Sequence, residues 1–242
     1  MNVVILAAGQ GKRMRSDLAK VLHPLAGRPL IAHVLDACAA AGVAQSIAVV
    51  GHQREAVAAA VAGRALCAVQ ERQLGTGDAV RSAMALVRHP TVLVLCGDAP
   101  LVPAALLLAV LDRHRREGNR CTAVAGEMAD PTGYGRMITD AAGRLRAIVE
   151  HRDATPEQHQ VRLVNSGIYA FAAADLADCL QRLRPDNSQG EYYLTDVVRL
   201  LVDDGLPVGL EVTPDADAVL GINTPEDLAR AEAILAARTR CG

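Results

Sequence analysis

Asn2-Val3-Val4-Ile5-Leu6-Ala7-Ala8-Gly9-Gln10-Gly11-Lys12-Arg13-Met14 passes within one short stretch from apolar to glycine-rich to basic. Residues 2–7 (NVVILA) have the length and branched apolar content of a strand buried on both faces. Glycine after such a strand lets backbone N–H groups approach a phosphate closely, and Arg13 with Lys20 further on supplies positive charge. The dinucleotide fingerprint is excluded, because Met14 stands where its third glycine belongs, and no P-loop can be placed here. Taken alone, a glycine turn after a strand is also an ordinary strand-to-helix connection.

Working outward, apolar runs alternate with helical patterns. Helices are expected over Pro29–Ala41, Arg54–Val61, Ala79–Val87 and Ala104–Glu117, and strands over Ser46–Val50, Ala65–Gln70 and Thr91–Cys96. This rhythm predicts an α/β fold, a Rossmann-like doubly wound and mostly parallel sheet. From Cys121 the character changes. Cys121–Glu127, Gly135–Ile138, Leu145–Glu150 and Leu163–Phe171 read as strands joined by turns, which predicts a small mixed lobe with antiparallel pairing. Helices return at Ala173–Arg182, Tyr192–Asp203 and Pro225 to about Ala237, with no linker, low-complexity tract or long repeat.

Bulk composition narrows the function classes. A net charge of -2 argues against general attraction to nucleic acid or anionic membrane, so an anionic ligand must be held by local cations and backbone donors. Aromatics make up only 2% of residues, too few for base-stacking platforms. The apolar start lacks a basic flank and is too short for a signal peptide or a span. Cys38, Cys67, Cys96, Cys121, Cys179 and Cys241 never form a CxxC pair and read mostly as buried small apolar residues in a reducing cytoplasm. The seven histidines, His23, His52 and His151 among them, have no ligand spacing and read as structural or surface residues.

Three further segments carry chemistry. Gln70 and Gln73-Leu74-Gly75-Thr76-Gly77 sit at the end of an expected strand, where ligands gather in open α/β sheets, and an amide can read the edge of uracil. Gln70 as an exposed strand-end residue, and Gln73 or Thr76 as loop or cap residues, are the plain alternatives. Cys96-Gly97-Asp98 ends the most hydrophobic strand, placing a carboxylate where a hard cation such as Mg²⁺ could be held, or where a turn needs a cap. Glu150 and Asn165 suit sugar hydroxyls, and equally suit a solvated strand end and a turn.

The pieces LAAGQGKRMRSDLAKVLHPLAGRPL, QLGTGDA, CGDAPL, DPTGYGRM, IVEHRDAT, VNSGIY, QGEYYLTD and GIN run in order from residue 6 to 223. With them the chain resembles the sugar nucleotidyltransferase superfamily. More closely it resembles the N-terminal uridylyltransferase domains of bifunctional N-acetylglucosamine-1-phosphate uridylyltransferases. The resemblance implies one nucleotidyltransferase domain over 1–242, with 1–100 and 205–237 mainly on the nucleotide and metal side and 101–204 mainly on the sugar side. It implies UTP and N-acetylglucosamine 1-phosphate as substrates, Mg²⁺ held by Asp98 and Asn223, and Arg13, Lys20 and Asp98 as catalytic residues. Without the resemblance, Asn223 would read as a turn or N-cap residue. Leu6, Ala7, Ala8, Gly9, Gly11, Lys20, Gln70, Gln73, Gly75, Thr76, Gly97 and Asp98 are then expected on the nucleotide side. Cys96, Tyr134, Gly135, Glu150, Asn165, Glu191, Thr195 and Asn223 are expected on the sugar side.

The sequence departs from the family at Ala19, where proline is usual, at Lys12, and at Cys96, where tyrosine is frequent. No hexapeptide repeat follows Ala237, so neither a left-handed β-helix nor acetyltransferase activity is expected, and the oligomeric state stays open. Transfer to glucose 1-phosphate or another hexose 1-phosphate is the enzymatic rival. A non-catalytic UDP-sugar-binding domain is the rival of another class.

Overall fold

The computed structural model describes residues 1–241, with side chains through residue 238. Nine strands form one sheet: β1 (Asn2–Ala7), β2 (Gln45–Val50), β3 (Leu66–Val69), β4 (Thr91–Cys96), β5 (Cys121–Glu127), β6 (Arg136–Thr139), β7 (Leu145–Val149), β8 (Leu163–Ala172) and β9 (Val208–Thr213). Their main order is β9-β5-β8-β4-β1-β2-β3, with β6 pairing β8 and β7 beside β6. β3, β2, β1 and β4 run parallel, as does β9 on β5. β8 is antiparallel to β4, β5 and β6. The expected doubly wound sheet with an antiparallel extension is therefore the observed one.

The order 3-2-1-4 has a direct consequence. The chain winds away from β1 through β2 and β3, then returns on the other side of β1 as β4. The crevice beyond the C-terminal ends of β1 and β4 is therefore left open for a ligand. The ladder pairs Asn2 with Val92 and runs on to Leu6 with Cys96, so both strands stop at one level.

Strand alternation divides the core. Val3, Ile5 and Ala7 face α1 (Leu30–Ala40), α2 (Arg54–Ala60) and α4 (Ala104–Arg116). Val4, Val92 and Val94 face α3 (Thr76–Ala83), α6 (Ala173–Arg182) and α7 (Asp196–Asp203). A third cluster, Met14, Leu25, Leu30, Leu101, Leu220, Ile222 and Ala231, seats α8 (Pro225–Cys241) against the glycine-loop end of the sheet. A short α5 (Pro156–His159), capped by Thr155 and Gln158 in a reciprocal box, follows β7.

Four expectations need correction. The helix expected from Ala79 begins at Thr76 and stops at Ala83, with a 3-10 turn over Met84–Leu86. Gly75, with φ +111°, caps it, so Gly-Thr-Gly is the cap and first turn of the helix rather than a loop before it. The helix expected from Tyr192 begins at Asp196: the Tyr192 carbonyl, which a helix from Tyr192 would offer to the Asp196 N–H, accepts from Gly77 N (2.8 Å), and Asp196 N donates to Tyr193 O (3.3 Å) instead. β9 was not expected, although Val208, Leu210 and Val212 alternate with period two beside β5. Cys67 lies exposed on β3 at the sheet edge and Cys96 is half-buried, whereas Cys38, Cys121 and Cys179 are buried thiols; the Cys241 side chain lies outside the described residues.

Asn2 fixes the start of β1. It is fully buried; its Oδ1 accepts the N–H groups of Arg88 (2.7 Å) and His89 (3.0 Å), and its Nδ2 donates to Gln45 Oε1 (2.7 Å). One side chain thus ties β1, β2 and the turn before β4. Removing an acceptor that leaves buried donors unpaired costs roughly 1–3 kcal/mol for each. Asn2→Ala is expected to lower unfolding free energy by about 2 kcal/mol, read as a lower urea midpoint at unchanged slope.

Candidate active site

Two cavities meet over the ends of β1 and β4. The larger, about 570 Å³, is floored by Leu6, Ala7, Ala8, Gly9, Gln10 and Gly11, with Lys20 to one side. Its far wall is Gln70, Gln73, Gly75 and Thr76. The smaller, about 210 Å³, is lined by Tyr134, Gly135, Glu150, Asn165 and Thr195 together with Arg13 and Asn223. Leu6, Thr76, Cys96 and Asp98 line both.

The loop after β1 presents donors to the larger cavity. Its carbonyls are occupied: Leu6 O accepts from Gly97 N (2.9 Å), Ala8 O from His52 N (3.1 Å) and Gln73 Nε2 (3.3 Å). Among the described residues, no acceptor takes the N–H groups of Gly9, Gln10 or Gly11. Backbone donors left open at a strand end form a cradle for an anion. Gly11, at φ +67°, is required: a Cβ there would lie 2.6 Å from the Cβ of Lys20. Nothing lies within 4 Å of a Cβ built on Gly9, so its smallness serves close approach from the cavity, not packing.

Gln70 is almost fully buried, and its Nε2 donates to Asp78 Oδ2 (2.8 Å) and Gly75 O (3.1 Å). Both amide hydrogens are spent, which fixes the amide orientation and leaves Oε1 as an acceptor only. Gly75 and Gly77 allow the 74–77 and 191–194 segments to zip together: Gly77 N donates to Tyr192 O at 2.8 Å, and a Cβ on Gly75 would stand 2.6 Å from that oxygen.

At the seam between the cavities four remote residues converge. Lys20 Nζ forms an ion pair with Asp98 Oδ2 and donates to Asn223 Oδ1 (3.1 Å), which also accepts from Arg13 Nη2 (2.9 Å). Asn223 is itself held, since Asp227 Oδ2 accepts the N–H groups of Asn223 and Thr224 at 2.9 Å each, capping α8. Ala19 donates its N–H to Gln53 Oε1 (2.9 Å), and Gln53 Nε2 donates to Asp17 O (2.7 Å). A proline at position 19 could not donate, so here Gln53 steadies the loop that a proline ring would otherwise stiffen.

The oxygens of Asp98 and Asn223 face one and the same ammonium, so they converge on a point where a cation sits. One carboxylate and one amide oxygen suit Mg²⁺, which binds few protein oxygens and completes its shell with phosphate and water. Among the described residues no cluster of three or more His, Cys, Asp or Glu exists that would suit a softer or fully caged metal.

The smaller cavity is built on a cross-strand row. Arg136 pairs with Val149 of β7 and Val164 of β8, so the next row brings Gly135 between Glu150 and Asn165. Asn165 N donates to Gly135 O (2.9 Å), and a Cβ on Gly135 would lie 3.5 Å from Glu150 Oε2. Asn165 Oδ1 accepts from Tyr169 Oη (2.8 Å) and Gly167 N (3.1 Å), leaving its amide hydrogens for a ligand. Thr195 Oγ1 donates to Glu150 Oε1 (3.1 Å). Burial pushes the Glu150 carboxyl above the usual carboxylate range, Thr195 opposes this, and Asp196, Asp153 and Glu191 add to it.

The site residues read from the sequence thus gather around one crevice, with two differences. Gly97 lines neither cavity; a Cβ there would stand 3.0 Å from Leu6 O, so it serves the contact between β4 and β1. Glu191 lines the larger cavity, beside Gln70 and Gly75, rather than the smaller one. Cys96 sits at the seam, where burial first and Asp98 next push its thiol up to about 12, so it meets a ligand as a small neutral group. Tyr169, Arg136 and Gln53 were missed. Asn-Ser-Gly in VNSGIY was the available signal for the first: Gly167 (φ +74°) lies in the irregularity that breaks the β8–β5 register between Asn165 and Tyr169, and Tyr169 supports Asn165.

Residues 3–191 match the MobA-like NTP transferase domain, and the chain belongs to that family. It is 46% identical over 245 residues to a protein of Thermobifida fusca named bifunctional protein GlmU, covering 98% of this chain and 51% of that protein. Proteins of the same name from Paraburkholderia xenovorans and Streptomyces coelicolor are 49% and 47% identical, covering 97% and 99% of this chain. The chain spans about half the length of these relatives, 52% and 51% for the latter two. No helix among the described residues is long and apolar enough to cross a membrane.

The raised pKa of Glu150 has a sign that stability measurements can read. A carboxyl whose folded pKa exceeds its unfolded value destabilises the fold when ionised, fully above the folded pKa and not at all below the unfolded one. Glu150→Gln is expected to raise the urea midpoint near pH 8, with the gain fading as pH falls through the usual carboxylate range. An equal gain at both ends would show that the carboxyl is not strained by its surroundings.

Proposed function

We propose that this chain transfers uridylyl from UTP to N-acetyl-α-D-glucosamine 1-phosphate, forming UDP-N-acetylglucosamine and pyrophosphate. The observation that carries this reading is the pair of cavities joined at a cationic seam, one lined by open backbone donors, the other by carboxylate and amide groups. The larger cavity takes the nucleotide and the smaller the sugar. The phosphates that react must then lie beside Arg13, Lys20, Asp98 and Asn223.

The base end fits uracil. Gln70 Oε1 is left as an acceptor, which suits the N3–H of uracil and opposes the N3 lone pair of cytosine. At the sugar end, the hydrogens of the Asn165 amide and the carboxylate of Glu150 supply both donors and acceptors for hydroxyl and N-acetyl groups.

The nucleophile is a phosphate oxygen of the sugar phosphate. A phosphate monoester with a second pKa near 6 is largely dianionic at neutral pH, so no strong general base is needed. Rate then comes from in-line positioning and from charges already in place. Lys20 is suited to the charge that builds on the α-phosphate, and Arg13 to the departing pyrophosphate. Asp98 and Asn223 would hold Mg²⁺, which when bound neutralises phosphate charge and orients the two reacting phosphates.

Pyrophosphate release across a panel of nucleotides and sugar 1-phosphates tests the reading. UTP with N-acetylglucosamine 1-phosphate is expected to give the highest kcat/KM, well above UTP with glucose 1-phosphate or CTP with either sugar. Arg13→Ala and Asp98→Ala are each expected to lower kcat at least about tenfold with the thermal transition retained. Near-wild-type turnover in either variant would sink that residue's assignment, and no release with any pair would leave a binding domain.

A further inference from the structure

Behind the smaller cavity lies a charge the reaction does not use. Arg136 is 1% exposed and, among the described residues, is the only buried side chain with a permanent charge. It has no carboxylate partner; Asp130 favours its charged form only from beyond ion-pairing distance, while burial opposes it. Its Nε finds no acceptor. Its two Nη groups donate to different strand ends: Nη1 to the carbonyl of Tyr134, which lines the cavity, and Nη2 to His151 Nδ1 at 3.4 Å, the residue after the cavity-lining Glu150. Guanidinium only donates, so His151 must be neutral with its proton on Nε2 for the second contact to exist. The His151 ring is braced from the other side by His159 of α5, edge-on at 4.8 Å.

Tyr134 and Gly135 form one wall of the cavity, and Glu150 directly precedes His151 in the other. The pleat that sends Gly135 and Glu150 toward the cavity sends Arg136 to the reverse face, where it touches no ligand. We propose that Arg136 and His151 form a clamp across the back of this cavity, in which Arg136 acts as a positioning residue that sets the spacing of Gly135 and Glu150 for the sugar phosphate. The inference rests on reading this cavity as the sugar-phosphate half. Acidification opens the clamp, since a protonated His151 presents a cation to Arg136 in place of an acceptor. The groups that face His151 are Arg136, His159, Arg152 and Asp130; burial first, then Arg136, His159 and Arg152, hold its pKa below the ordinary histidine value against Asp130.

The test compares KM for each substrate separately, by pyrophosphate release, in the wild type, R136M, R136K and H151Q. R136M is expected to raise KM for the sugar phosphate about tenfold while KM for UTP stays unchanged, and R136K to recover part of the loss. H151Q keeps an acceptor that does not titrate. Between about pH 7 and about pH 5, a window that reaches below the ordinary histidine value, the sugar-phosphate KM should therefore rise more in the wild type than in H151Q, the ionisation of the sugar phosphate being common to both. Both KM values moving together, or coincident pH profiles, would overturn the clamp; if R136M fails to fold, R136K and H151Q decide the matter. A wild type inactive with every substrate pair would instead overturn the proposed function. The clamp is then judged by NMR titration of His151 in the wild type, where a pKa at or above the ordinary value rejects it and a lower one supports it.

Discussion

β1 and β4 lie side by side although three α-helices and two strands of the sheet separate them in sequence, and the crevice depends on that adjacency. Their ladder runs to the last residue of β4, and Gly97 N–H continues it to Leu6 O. Glycine favours this approach, since a Cβ would crowd the same oxygen at 3.0 Å. The open donors of Gly9 to Gly11 and the carboxylate of Asp98 are therefore held at one level by the sheet itself. Neither loop has to supply its own rigidity, and any residue reaching this level from elsewhere in the chain meets both.

Two such residues arrive with help from their neighbours. Lys20 is delivered by a loop pinned through Gln53, and Asn223 by the cap of α8, where Asp227 takes two successive N–H groups. Lys20, Asp98, Asn223 and Arg13 then satisfy one another. An ion pair that is still partly hydrated contributes little to stability. Its value here is geometric: under the proposed function, charges that would meet the phosphates are already placed, so less reorganisation is needed when charge develops.

The strands of the winding half were legible in the sequence because they are apolar runs punctuated by glycine and polar turns, a local signal. So were the donor loop, Lys20, Asp98 and the Gln70 segment, whose chemistry lies in residues close together in sequence. What escaped was non-local. The start of α7 is decided by where the Tyr192 carbonyl goes, which requires knowing that Gly77 lies alongside. Gly97 reads like a phosphate-loop glycine but serves contact between strands. Glu191 reads as a sugar-side residue until the 74–77 zipper carries it to the larger cavity. Asn223 alone reads as a cap, and resemblance rather than residue logic brought it to the seam. Arg136 carries no local signal at all, because an arginine in a short strand is ordinarily solvated.

Arg136 and Glu150 also show why the smaller cavity needs strands rather than loops. Both carry charge that burial opposes, and they stand one row apart in the β7–β6–β8 ladder. Were they free to approach, they would pair, and the carboxylate would be lost to any ligand. The pleat prevents this by sending successive side chains to opposite faces. Glu150 is left to Thr195 and the cavity, and Arg136 to a backbone carbonyl and a neutral imidazole. A loop of the same sequence would relax toward the ion pair. The ladder holds the two charges apart and leaves a buried carboxylate facing the cavity.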